Sequence, residues 1–347
     1  MKISGKTIGK GNPCFIIAEA GSNHNGDLNQ AKALVDVAAD ADADAVKFQI
    51  FSAKTIYSKK TPMPSYMLEN ELADKKETLW DIMKDNELPR DWIPILMDYC
   101  RQRNILFLAT PFDIPAVDEC EKFGMEAFKV ASFEITYLPM LKRISATGKP
   151  IILSTGMANI SDIETALAAI KDGGTSETAL LHCAIAYPPK ASNVNLRAMD
   201  TMRRLFGLEV GFSDHTMNYI ADVAAVAMGA SIIEKHFTLS RKLEGPDHPF
   251  SLEPDELKAM VLAIRETEEL LGSPVKIASE AEGELHGLAR RGLVAATDIP
   301  SGTVITSEML AVKRPAYGVH PKYTDIIVGR TAKCDIEEDD IFLWEMV

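Results

Sequence analysis

The sequence predicts an α/β protein: a closed (β/α)8 TIM barrel followed by a small β-rich domain. Three observations carry this. Eight short apolar runs recur at 15–21, 45–50, 105–112, 127–132, 150–156, 178–183, 209–214 and 232–237. Between them, apolar residues return every three or four positions, the period of an amphipathic helix. Nearly every run also ends in a polar residue able to do chemistry: Glu19; Lys47 and Gln49; Thr110; Lys129 and Ser132; Ser154; His182; Ser213 and His215; Glu234 and His236. Strands alternating with helices close into such a barrel, whose catalytic groups stand at the C-terminal rim.

The elements follow in order. Residues 2–10 read as a β-hairpin plugging the bottom of the barrel. Asp27 is placed to cap a helix through LNQAKALVDVAADA. Later helices are expected at 89–103, 114–123, 137–147, 160–172, 195–206, 218–229 and 254–271. The long departure is 51–88, between the second and third strands, with a loop around Lys59 and Lys60 and a helical excursion at 68–84. A rim insertion of that length is more often a functional lid than an idle connection. The domain plan is a barrel over 1–272, a linker rich in Ala, Glu and Gly over 273–287, and a β-rich domain over 288–347. In the last, the runs GLVAATDI, TVITSEMLAVKRP, IVGRTAKCDIEED and IFLWEMV alternate with Gly, Pro and Asp turns.

At 347 residues with 46% hydrophobic content, the chain can build a sizeable core. A formal charge of −13 argues against nucleic acid or an anionic membrane as partner, while leaving room for a small anionic substrate held by local lysines. The five cysteines are scattered without CxxC spacing, as free thiols in a reducing compartment would be. The N-terminal MKISGKTIGKGNP lacks the apolar core of a signal peptide, and no apolar run is long enough to span a bilayer. A soluble cytoplasmic protein is expected.

The rim residues group by chemistry. His215 and His236 end adjacent strands, which lie roughly 5 Å apart, so their imidazoles could share one divalent ion; alternatively each merely bonds backbone at a strand end. Nitrogen and oxygen ligands suit Mn²⁺ or a similar ion rather than a closed structural zinc. Lys47 and Lys129 lie inside strands, where an ammonium is costly without an anionic partner. Either Glu19 or Glu134 pairs with them, or the lysines and the hydroxyls of Thr110, Ser132, Ser154 and Ser213 cradle a phosphate or carboxylate. A lysine imine is the rival chemistry. Glu19 is a candidate general acid or base. His24 and Asn23 could equally hold their own loop, and Asp247 and His248 lie in a turn-rich segment.

The stretches EAGSNHNG, AVKFQ, ATPFD, FKVAS, KPIILSTGM, HCAIAYP, GFSDHT, EKHFTL, GPDH and VKRP, in that order, resemble the sialic acid (nonulosonic acid) synthases, the sialic and legionaminic branch more than the pseudaminic. The end of the chain resembles an antifreeze-like (SAF) domain. The resemblance implies condensation of phosphoenolpyruvate with N-acetylmannosamine or a 6-deoxy diacetamido relative, releasing phosphate. It implies phosphoenolpyruvate bound by Lys47, Thr110, Lys129, Ser132, Ser154 and Ser213, and Mn²⁺ or Mg²⁺ held by His215 and His236. Glu19 would be the key carboxylate, and Gln49, Glu134, Tyr187 and Asp247 would meet the sugar. Arg314 would reach the acyl group from the partner chain of a domain-swapped homodimer.

One departure from the family pattern is Ala184-Ile185-Ala186, where relatives often carry polar residues, so a phosphate or sugar contact is absent. Two other functions compete. A related barrel synthase making a 3-deoxy-ulosonic acid would need a second phosphate site, and no spare basic cluster stands on the rim. A non-catalytic carbohydrate-binding protein would not need a lysine-rich pocket beside two histidines.

Overall fold

The computed structural model describes residues 1–64, 78–174 and 177–347. The chain divides into two compact units, Met1–Gly272 and Ser273–Val347. In the first, β1 (Lys2–Ile3) and β2 (Lys6–Thr7) form the expected hairpin. Eight parallel strands then close a barrel: β3 (Phe15–Gly21), β4 (Ala45–Ile50), β5 (Leu106–Pro111), β6 (Phe128–Val130), β7 (Ile151–Ser154), β8 (Thr178–Cys183), β9 (Glu209–Asp214) and β10 (Ile232–His236), with β10 pairing back onto β3. β6 stops short of the expected Ser132 because Ser132–Glu134 turns into a 3-10 helix.

The period-two geometry of strands sorts the core into two layers. Phe15, Ile17, Ala45, Leu108, Ala127, Ile152, Ala179, Leu181 and Ile232 meet inside the barrel, joined by Ile3 and Ile8 of the hairpin. Their strand neighbours, such as Ile16, Val46, Phe107, Val130, Leu153, Phe212 and Ile233, pack outward among the helices. Continuing the inward positions toward the C-terminal ends gives Glu19, Lys47, Gln49, Thr110, Lys129, Ser154, Ser213, Glu234 and His236. The barrel interior thus changes from apolar to charged along its own strands.

The outer helices are α1 (Leu28–Asp40), α4 (Trp92–Gln102), α5 (Ile114–Lys122), α6 (Leu138–Ser145), α7 (Ile160–Gly173), α8 (Ala198–Phe206), α9 (Ile220–Ala227) and α10 (Pro254–Leu271). Asp27 caps α1 by accepting from Asn29 N, and Asp113 caps α5 by accepting from Ala116 N. Within the insertion, α2 (Ala53–Ile56) precedes α3 (Leu79–Asp85), which opens on a reciprocal Thr78–Asp81 capping box. Most of the helix expected at 68–84 lies outside the described residues. Glu87 accepts from Ala53 N and Ser52 Oγ, tying the end of the insertion back to its start. No helix among the described residues is long and apolar enough to cross a membrane.

The second unit departs from its sequence expectation in two ways. The segment read as linker carries a 3-10 turn, Glu280–Glu282, continued by α11 (Gly283–Leu288) and started by a Ser279–Glu282 capping box. Of the four β-like runs, only β11 (Gly292–Ala295) and β12 (Leu310–Lys313) form a ladder; the others contribute isolated bridges, Val294↔Ile341, Ile299↔Ile336 and Val304↔Thr331. Gly329, at positive φ, turns the chain inside the third run, and Gly302 and Asp339, also at positive φ, turn it where one run gives way to the next. Leu293, Ile299, Ile305, Val319, Ile327, Ile336 and Phe342 make this unit's own core. A short helix, α12 (Thr324–Ile327), completes it.

Candidate active site

Glu19 and Lys47 are register partners on β3 and β4, and Lys47 Nζ lies 2.8 Å from Glu19 Oε2. The same ammonium donates to Thr110 Oγ1 at 2.8 Å and sits 3.6 Å from Glu234 Oε2. Across the barrel, Lys129 donates to Ser154 Oγ at 2.7 Å and Val130 O at 3.1 Å, and stands 3.5 Å from Glu234 Oε1. Ser213 Oγ donates to Glu234 Oε1 at 3.0 Å, and Gln49 Nε2 donates to Glu19 Oε1 at 2.9 Å. Two ammonium and two carboxylate groups therefore share one buried space lined by hydroxyls.

Burial dominates the charge states. It lifts Glu19 to about 7 despite Lys47, with the Glu234 charge adding to the rise. Burial also works against Glu234 as an anion, but Lys129 and Lys47 outweigh it and hold its carboxyl below the usual range. Lys129 is lowered by burial, with Glu234 opposing, whereas for Lys47 burial loses to Glu19 and Glu234 and the net direction is up. Glu234 is thus the hub of the network, a part the sequence reading did not assign to it. The signal was available: it stands two positions before His236, on the same inward-facing series.

Beyond this network lie the two histidines, with ring centres 5.3 Å apart. The Tyr187 ring meets His215 edge-on at 4.7 Å, and Phe250 meets His236 at 5.2 Å. Asp247 Oδ2 is 3.8 Å from His236 Nδ1 and accepts from Ser22 Oγ at 3.3 Å. Gly21 makes this approach possible: its φ is +56°, and a Cβ there would come within 2.6 Å of Asp247 Oδ2. Burial lowers His215 to about 4. Burial, then the neighbouring His215 and three lysines, lowers His236 further below its ordinary value. Both imidazoles are therefore neutral and keep a lone pair, and the buried Nδ1 of His236 has no hydrogen-bond partner among the described residues.

That donor set fits a divalent cation, which binds neutral imidazole. Among the described residues no group of three or more His, Cys, Asp or Glu is arranged to hold a metal. The two histidines would accordingly leave most coordination positions to substrate or water oxygens.

The remaining expected residues fall in several places. Ser132 Oγ accepts from Gly156 N at 2.8 Å, and a Cβ on Gly156 would meet that oxygen at 2.8 Å and Ile185 Cγ1 at 2.5 Å. Ile185 therefore leans an apolar side chain on this part of the rim. Glu134 is not the partner of Lys129, since Glu234 takes that place. Its buried Oε2 has no hydrogen bond among the described residues, and burial pushes the carboxyl up to about 8 against the pull of Lys129. Arg314 belongs to the second unit, where its Nε donates to Ala289 O at 2.6 Å.

His182, at the end of β8, turns outward to Val194 O at 2.6 Å. His24 and His248 hold loops: His24 Nδ1 accepts from Gly26 N, and the His248 ring nitrogens sit 2.6 Å from Thr238 Oγ1 and 3.0 Å from Asn25 Oδ1. Asn23 Nδ2 donates to Phe237 O at 2.8 Å. All five cysteines are free; Cys183 lies in the site, its sulfur 3.8 Å from His215 Nδ1.

Known proteins share this arrangement of sequence and fold. Residues 34–276 match the model of the NeuB family, and residues 290–347 match that of the SAF domain. The chain is similar to the N,N'-diacetyllegionaminic acid synthase of Campylobacter jejuni, 43% identical over 94% of this chain and 98% of that protein. Among solved structures, it resembles the spore coat polysaccharide biosynthesis protein SpsE of Bacillus subtilis, with TM-score 0.68 and 38% identity over 100% of this chain and 98% of that one. It also resembles the N-acetylneuraminic acid synthetase of Leptospira borgpetersenii, with TM-score 0.72 and 36% identity over 82% of this chain and 94% of that one.

Proposed function

The chain belongs to the NeuB family, and from that membership and the rim geometry we propose that it condenses phosphoenolpyruvate with an N-acetylated amino sugar to a nine-carbon sugar acid and phosphate. The observation that carries this is the convergence of Lys47 and Lys129 with Thr110, Ser154 and Ser213 inside the barrel, next to two neutral imidazoles. Two ammonium groups and directed hydroxyls match an anion bearing both a phosphate and a carboxylate. Similar proteins are named synthases of legionaminic, pseudaminic and N-acetylneuraminate-type products, which supports an acetamido sugar as acceptor.

In this reading Lys47, Thr110, Lys129, Ser132, Ser154 and Ser213 bind phosphoenolpyruvate and orient C3 toward the acceptor aldehyde. His215 and His236 hold Mn²⁺ or Mg²⁺, which when bound supplies Lewis acidity at the aldehyde oxygen. Attack by C3 converts the C2–C3 double bond into the new carbon–carbon bond, leaving an alkoxide on the acceptor and positive charge at C2. Water adds there, and the C2–O bond to phosphate breaks as the C2 carbonyl forms, one water proton leaving with the phosphate and the other ending on the alkoxide. Glu19 takes the proton from that water. Its carboxyl, lifted to about 7, is poised to exchange a proton near neutral pH. The Gln49 amide fixes one Glu19 oxygen and leaves the other toward Lys47. Glu134, Tyr187 and Asp247 face the sugar, and Arg314 meets its acyl group in a domain-swapped homodimer. Five free cysteines support a protein working in solution in a reducing cytoplasm.

The test is phosphate release from phosphoenolpyruvate with Mn²⁺ and a panel of acceptors: N-acetylmannosamine, its 6-deoxy diacetamido relatives, and arabinose 5-phosphate. Release with an acetamido sugar is expected, with a product whose mass is that of both substrates plus one water less phosphoric acid. Release only with the phosphorylated aldose would move the protein to the 3-deoxy-ulosonic acid reaction, and none with any acceptor would return it to carbohydrate binding. Sedimentation of the purified chain tests the dimer.

A further inference from the structure

A second buried charge cluster lies on the outer wall of β9 and β10, and the chemistry above does not use it. Lys235 sits between Glu234 and His236, so the strand alternation turns it away from the interior. Its ammonium is gripped by the Asp214 carboxylate and donates to Thr216 O and Asn218 O, each at 2.7 Å, and to Thr216 Oγ1 at 3.3 Å. Asp222, on α9, places a carboxylate oxygen 3.6 Å away. Asp214 in turn accepts from Thr216 N at 2.9 Å and Thr216 Oγ1 at 2.7 Å. Lys235 and Asp214 are each 1% exposed.

Burying such a pair is weak evidence for stability, because an apolar pair of the same volume is often as stable. What distinguishes this one is its placement. Asp214 and Thr216 are the two chain neighbours of His215, and Lys235 is the chain neighbour of His236. One ammonium therefore ties the residues on both sides of the first imidazole to the residue preceding the second.

We propose that Lys235 is a positioning residue: by holding Asp214, Thr216 and Asn218 it sets the span between the His215 and His236 imidazoles, and with it the affinity for a divalent ion. This rests on the reading that those two imidazoles hold the ion. Partners that orient metal-binding histidines are worth on the order of 10–100-fold in metal affinity. Simple electrostatics has the opposite sign, since removing a cation beside a cation site strengthens binding. Geometry and charge are thus separable in one variant.

The experiment measures Mn²⁺ affinity by electron paramagnetic resonance for the parent, Lys235→Met and Thr216→Val. Inorganic phosphate affinity in the absence of metal and the melting temperature are measured alongside. Lys235→Met is expected to bind Mn²⁺ on the order of tenfold more weakly despite losing a positive charge. Thr216→Val, which keeps every charge and trims one hydroxyl, is expected to weaken binding by a smaller factor, with phosphate affinity preserved in both. Unchanged or tighter Mn²⁺ binding by folded Lys235→Met overturns the proposal. If that variant does not fold, unchanged binding by Thr216→Val does the same. Parallel loss of phosphate affinity would also overturn it, showing a general loosening of the barrel. A parent that binds phosphate but no Mn²⁺ would instead defeat the two-imidazole reading itself.

Discussion

The barrel buries lysines on two faces of the same wall, and the two faces treat them differently. Outside, Lys235 is closed: the Asp214 carboxylate and two backbone carbonyls saturate it, and backbone carbonyls cannot move aside. Inside, Lys47 and Lys129 lean mainly on side-chain oxygens, Thr110, Ser154 and Glu19, with Val130 O a backbone partner of Lys129. Glu234 hangs between them at 3.5 and 3.6 Å, beyond a normal hydrogen bond, and its Oε2 has none among the described residues. Partners that can be exchanged suit a place where a substrate anion enters. Fixed partners suit a frame.

This contrast has measurable consequences. The largest falls on the frame. Asp214→Ala leaves the buried Lys235 without its main counter-charge and should lower unfolding free energy by about 3–5 kcal/mol in urea titration; a loss below about 1 kcal/mol would place Asp214 outside the frame. Next is Glu19→Gln, which should cut turnover by about a hundredfold or more with a melting temperature close to the parent's, because burial already disfavours the ionised carboxylate. A variant that melts early and still turns over would reverse the roles of the two clusters. Ser154→Ala removes one hydroxyl from Lys129 and should raise the KM for phosphoenolpyruvate by roughly tenfold, corresponding to about 1.5 kcal/mol, with little change in kcat.

The smallest effect concerns Glu134, whose carboxyl burial raises to about 8 from 4.5. Between those values the folded chain holds a proton that the unfolded chain has released, so stability falls as pH rises through this window. Relative to Glu134→Gln, the parent's melting temperature should fall as pH rises from about pH 5 to about pH 8, over and above the buried histidines, which act in the opposite sense below about pH 6.5. An unchanged slope would assign the pH dependence to other groups.

Much of this was legible in the chain. The eight strands were recoverable because an apolar run bounded by helical periodicity is a local property, and the polar residues at the run ends marked the rim. The second domain was less legible: its runs look like strands one by one, but only β11 and β12 pair as a ladder, the rest meeting in isolated bridges that tertiary packing decides. The place of Lys129 inside a strand calls for an anionic partner, and that partner comes from β10 rather than from neighbouring Glu134. His182 ends its run as His215 follows the end of its own, yet it turns outward to Val194 O, a side that depends on strand phase rather than residue type.

What the sequence determined by itself is the alternation: two-residue periodicity assigns each strand an inner and an outer series, and the barrel follows from eight such strands. What only the tertiary structure decided is the partnership of the charges. Glu234 and Lys235 are adjacent in the chain, but closure of the barrel gives one to Lys47, Lys129 and Ser213 and the other to Asp214, Thr216 and Asn218. The reason is physical: in a buried site the energy of a charge depends on what faces it across space, and those groups arrive from distant segments that only the closed fold brings together.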